Sequence, residues 1–85
     1  MRFETVHVEC VSGYRANERP VAFTWRGYRH EIAVVTDRWY EGHVRAKDPV
    51  IDYFKVTTTE GDEFILRYNR TFDGWGICVP AGMSP

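Results

Sequence analysis

The stretch Val21–Trp39, reading VAFTWRGYRHEIAVVTDRW, decides the fold, because apolar and polar residues alternate on both sides of a single glycine. With Arg26 and Gly27 as a two-residue turn, Trp25 faces Tyr28, Phe23 faces His30 and Val21 faces Ile32, so all six side chains share one face of a hairpin. Thr24, Arg29 and Glu31 fall on the other face. Near Val34 and Val35 both faces turn apolar, as in a strand entering an enclosed part of a curling sheet or small barrel.

Working outward, Phe3 to Val11 has Val6, Val8 and Cys10 alternating with His7 and Glu9, the pattern of a half-buried first strand. Ser12 to Arg19 reads as a loop before Pro20, and Glu41 to Asp52, EGHVRAKDPVID, as a long surface loop without a period. A second hairpin sets Phe54 opposite Tyr68, Val56 opposite Leu66 and Thr58 opposite Phe64, around an odd-length loop through Glu60, Gly61 and Asp62. A two-residue Glu60-Gly61 turn would instead bury Lys55. A third turn, Asn69 to Gly74, brings Trp75, Ile77 and Val79 against Tyr68, Leu66 and Phe64, with Phe54, Tyr68 and Trp75 as an aromatic layer.

The expected fold is all-β: a small antiparallel meander of five or six strands, SH3-like or a partly open barrel. Its expected core is Phe23, Trp25, Tyr28, Ile32, Val34, Phe54, Val56, Phe64, Leu66, Tyr68, Trp75 and Ile77. Residues 1–79 form the single β domain, and 80–85, PAGMSP, a disordered tail.

The 85 residues leave room for one domain, and three Trp, five Tyr and five Phe give so short a chain a core without disulfides or metal. A net charge of -1 provides no overall field toward nucleic acid or an anionic membrane, although nine of the eleven basic residues are arginine. Cys10 and Cys78 form no Cys-x-x-Cys pair and read as reduced core residues. His7 and Cys10, three apart on a strand, point to opposite faces, which does not suit a shared metal. No run approaches the roughly 18 apolar residues of a membrane span, and no signal peptide opens the chain, so a cytoplasmic protein without membrane contact is expected.

The second-hairpin register makes Lys55 a cross-strand neighbour of Arg67, with Gly76 leaving space beside them. That is either an anion site or a solvated pair screened by nearby acids. In the first hairpin, Arg15, Arg19, Arg26 and Arg29 interleave with Phe23, Trp25 and Tyr28, a composition that also binds single-stranded nucleic acid. The alternation assigns those aromatics to the core, which leaves Arg26, Arg29, Arg38 and Trp39, with Tyr40, for contact. His30 reads as a partly buried, hydrogen-bonded structural histidine rather than a general base, and EGDE at 60–63 as a solvated turn rather than a cation site. No nucleophile motif, phosphate-binding glycine loop or metal cluster is present, so neither catalytic residue nor cofactor is expected.

The run Phe23-Thr24-Trp25-Arg26-Gly27, then Asp37-Arg38-Trp39, then Asp52-Tyr53-Phe54-Lys55-Val56, then Phe64-Ile65-Leu66 with Tyr68, and Trp75, resembles an uncharacterised family of small bacterial domains. In that family WRG, DRW and DYF(K/R)V segments recur in this order. The resemblance covers about residues 19 to 77 and extends to the C-terminal segment of Y-family-polymerase-like accessory proteins of translesion DNA synthesis. It implies a link to bacterial DNA maintenance or repair and supplies no catalytic residue. This chain differs in its extra acids near the second turn.

The expected function is a non-catalytic interaction module, monomer or homodimer, that contacts a protein partner or a nucleic acid. Its candidate binding residues are Arg26, Arg29, Arg38, Trp39, Lys55 and Arg67. The alternative is a small homo-oligomeric structural or regulatory protein with Trp39 and Tyr40 at a subunit interface.

Overall fold

The structure, a computed structural model, describes residues 2–11, 19–41 and 50–79. Among them seven antiparallel strands occur: β1 Arg2–Thr5, β2 His7–Cys10, β3 Pro20–Trp25, β4 Tyr28–Glu41, β5 Ile51–Thr58, β6 Glu63–Asn69 and β7 Gly74–Val79. Their order across the sheet is β1-β7-β6-β5-β4-β3-β2, and the sheet curls into a half-barrel. The all-β, partly open barrel expected from the alternation is present, with seven strands rather than five or six. The expected tail at 80–85 and most of the loops at 12–19 and 41–52 lie outside the described residues.

The added strand comes from the N-terminal segment. Instead of one strand from Phe3 to Val11, the chain kinks at Val6, so that β1 pairs with β7 and β2 with β3 at the opposite end of the sheet. The Val6 amide donates to the Trp75 carbonyl at 3.3 Å. Val6, Val8 and Cys10 all stay buried through the kink, so their alternation runs on unbroken while the hydrogen-bonding partner changes.

In the first hairpin Trp25 pairs with Tyr28 and Phe23 with His30 around Arg26 and Gly27, as the alternation requires. Both turn residues have positive φ, 53° and 84°, the mirror-image two-residue turn that matches strand twist. Two expected core residues are nevertheless exposed: Tyr28 at 72% and Val34 at 49%. Tyr28 stands at the open end of the hairpin. At Ile32, β4 leaves β3 and pairs with Thr58 of β5, so Val21 has no ladder partner in Ile32. Irregularities at Ala33 and Thr36 then break the alternation. The enclosed setting expected around Val34 and Val35 is in fact the start of a strand edge.

The second hairpin keeps the expected faces but not the expected pairing. Phe54 lies opposite Leu66, Val56 opposite Phe64 and Asp52 opposite Tyr68, two residues from the register read in the sequence. The turn sets this offset. Thr58 donates its amide to the Asp62 carbonyl (2.8 Å), accepts the Gly61 amide (2.9 Å) and takes the Asp62 amide on Oγ1 (3.2 Å), which closes a three-residue loop with Gly61 at φ 92°. A two-residue slip leaves every side chain on its own face, so hydrophobic alternation is blind to it.

The third hairpin has the expected register, Leu66 with Ile77 and Tyr68 with Trp75. The aromatic layer forms, with Trp75 centred 5.4 Å from Phe54 and 5.0 Å from Tyr68. Asp52, expected in a surface loop, is only 2% exposed on β5 and accepts two hydrogen bonds from the Arg70 guanidinium, at 2.7 and 2.9 Å. Cys10 and Cys78 are both buried, as expected of core thiols.

Glu4 fastens the kinked strand to the first hairpin. Its carboxylate accepts from Trp25 Nε1 (2.9 Å), from the Arg26 guanidinium (2.8 and 3.3 Å) and from Arg2 (3.0 Å). These donors, the Arg26 guanidinium first and the Trp25 indole next, hold the carboxyl down at about 2 from an ordinary 4.5. Because the folded value is the lower one, this stabilisation is complete above about pH 4.5 and is lost as pH falls toward 2. Urea midpoints measured across that window should fall for the wild type. In Glu4→Gln they should be lower at neutral pH and change less on acidification.

Candidate interaction surface

The outer, convex face of the sheet carries the side chains of β5 and β6 that the core does not use. Trp39 and Tyr53 are cross-strand partners whose rings stack 5.3 Å apart at an interplanar angle of 6°. Tyr53 is also opposite Arg67, whose guanidinium carbon sits 3.7 Å from the centre of the Phe3 ring. Phe3 and Tyr53 are 6.4 Å apart, so a continuous π series runs Phe3, Arg67, Tyr53, Trp39 across five strands.

Gly76 makes the series possible. It lies opposite Arg67, and a Cβ there would stand 3.5 Å from Arg67 Nε and 3.4 Å from the Glu4 carbonyl, so only its absence lets Arg67 cross the strand freely. The space expected beside Gly76 is a shallow cleft of about 190 Å³ lined by Phe3, Arg67 and Asn69 among others. The Tyr53 hydroxyl donates to Glu41, and burial followed by this carboxylate raises its pKa above the ordinary phenol value.

The six residues singled out in the sequence divide into two groups. Trp39, Lys55 and Arg67 share the outer face. The expected Lys55 and Arg67 pair does not form, because the two-residue offset places Lys55 between Asp37 and Ile65 and gives Arg67 to Tyr53. The like-charge site inferred from their adjacency is therefore withdrawn. Arg26 is engaged with Glu4 and lies over the Trp25 ring at 4.4 Å. Arg29 bridges Glu9 (2.8 and 3.2 Å) and Glu31 (3.2 Å) across β2, β3 and β4, and both carboxylates raise its pKa. Arg38 is on the inner face, 4.8 Å above Phe54. An arginine-rich face does not exist as one surface.

His30 is stacked on Phe23 with ring centres 5.0 Å apart, a packing role as expected. It is not hydrogen-bonded through Nδ1, which is buried and lies 4.0 Å from Glu60 Oε1. Among the described residues no group of three or more His, Cys, Asp or Glu could hold a metal ion, and no helix is long and apolar enough to cross a membrane.

Sequence reasoning missed Phe3, Tyr53, Asp37 and Glu41. The signal for Tyr53 was present, since in the DYFKV segment it alternates with the core residue Phe54. Beside Trp39, β4 is open. From Ile32 to Glu41 it pairs with β5 on one side, and among the described residues no strand pairs with the other. Trp39 and Tyr40 are 38% and 66% exposed there. Comparison of the chain with protein-family models, curated proteins and solved structures gives no match.

Trp39→Ala removes one stacked cross-strand pair and little burial. It should cost about 1 kcal/mol in urea unfolding while leaving the amide spectrum of β5 to β7 native-like. A loss several times larger would make Trp39 a core residue.

Proposed function

We propose that this chain is a non-catalytic interaction module whose contact surface is the open edge of β4 with the aromatic strip beside it, and whose partner is a protein. The observation that carries this reading is Trp39, exposed at the end of the Phe3, Arg67, Tyr53, Trp39 series and on the one long strand without a second neighbour among the described residues. Exposed strand edges are templates for main-chain pairing, and side chains on either face of the edge supply selectivity.

The alternative nucleic-acid partner is supported by the same aromatic strip, but its charges weigh against phosphate. Asp37 and Glu41 are exposed on either side of Trp39, while Arg26 and Arg29 are committed to carboxylates elsewhere. The resemblance of the WRG, DRW and DYF segments to a bacterial family linked with translesion accessory proteins places the partner in DNA maintenance. A cytoplasmic location accords with that setting.

A benzoylphenylalanine cross-linker placed at Trp39 should yield, in cells, one discrete protein adduct that is absent when the cross-linker is placed at Arg29. Adducts to nucleic acid, or none from either position, would defeat the reading. An adduct of twice the chain mass, with a matching dimer in size exclusion, would turn it to the homo-oligomer alternative.

A further inference from the structure

From Asp37 to Glu41 the β4 and β5 ladder is regular, with Asp37 on Lys55, Trp39 on Tyr53 and Glu41 on Ile51. These three β4 residues therefore project from the outer face in the order acid, aromatic, acid, at the two-residue spacing of a strand. The two irregularities of β4 lie before them, at Ala33 and Thr36. Bulges of that kind obstruct edge pairing, so the part of the edge free of them is the part that carries Trp39. Tyr53 covers Trp39 from the β5 side, and the exposed remainder of the indole lies toward the open edge.

We infer that this edge accepts an extended basic segment of another protein as an added strand, with an aromatic residue over Trp39 and a lysine or arginine two positions to either side. The inference rests on the protein-binding reading above and names the chemistry of its partner. Charge complementarity carries it. Directly opposed residues on an antiparallel pair share a face and lie close enough to interact, so basic residues would meet Asp37 and Glu41 while the central ring extends the cross-strand stack. Asp37 accepts the Arg38 amide at 2.8 Å and Glu41 accepts the Tyr53 hydroxyl, which holds both carboxylates at the edge. An acidic strand, or a phosphate backbone, would place like charge against both.

The probe is the capped heptapeptide Thr-Lys-Thr-Trp-Thr-Lys-Thr, titrated into the full chain and followed by amide chemical shifts and hydrogen exchange. Its controls are the twin with both lysines replaced by glutamate, an N-methylated version that cannot pair as a strand, and oligothymidylate. The basic peptide should bind about tenfold more tightly than its acidic twin and slow exchange of amides within Asp37–Glu41. N-methylation should abolish binding, and Asp37→Asn with Glu41→Gln should reduce the tenfold preference to about twofold.

Equal affinity for the two peptides, no saturation by the basic one below about 1 mM, or shifts confined to another face would overturn the inference. If the Trp39 cross-link to protein persists in that event, the interaction surface stands and only the partner chemistry is wrong. Tighter binding of oligothymidylate on the same residues would remove both.

Discussion

The constraint on which the rest of this structure depends is that one short strand serves both ends of the sheet. Kinked at Val6, it pairs with β7 through Arg2–Thr5 and with β3 through His7–Cys10. That closes two of the edges an open meander would leave exposed, and an 85-residue chain gains an enclosed core from a single curled sheet. The Glu4 carboxylate, shared by Trp25, Arg26 and Arg2, holds the first strand to the first hairpin and fixes how far the sheet curls.

Closing the sheet at one place opens it at another. Strand β4 is long because it serves β3 with its first residues and β5 with the remainder, and where it changes partner its far side loses a neighbour among the described residues. The exposed edge is thus a result of the topology, and its side chains then decide what it can contact. Burial is reserved for Phe54, Leu66, Tyr68 and Trp75 on the inner face, while Trp39 and Tyr53 are stacked outside it.

Much of this was legible in the sequence, and the parts that were not have identifiable physical reasons. Alternation correctly paired Phe23 with His30 and Tyr68 with Trp75, because a one-residue slip would expose a whole apolar face. It failed at Phe54, whose partner is Leu66 rather than Tyr68, because a two-residue slip changes no face and only the chemistry of the Thr58 to Asp62 turn selects between the two. That one offset removed the proposed pairing of Lys55 with Arg67. Tyr28 and Val34 were misplaced for another reason: periodicity reports which face a side chain takes but not whether anything covers that face. The ties of Glu4 to Trp25 and of Arg70 to Asp52 join residues distant in sequence, where no local pattern reaches. Trp39, by contrast, was identified as exposed and available for contact from the sequence alone, and it lies at the end of the aromatic series.

The central claim is that the Asp37–Glu41 edge of β4 is unoccupied and able to receive a strand, and native-state hydrogen exchange of the isolated chain tests it most directly. One set of alternate amides between Ile32 and Glu41 should exchange orders of magnitude faster than the amides of β6, whose two edges are both paired. Uniform protection along β4, equal to that of β6, would mean that the edge is already covered and would contradict the account.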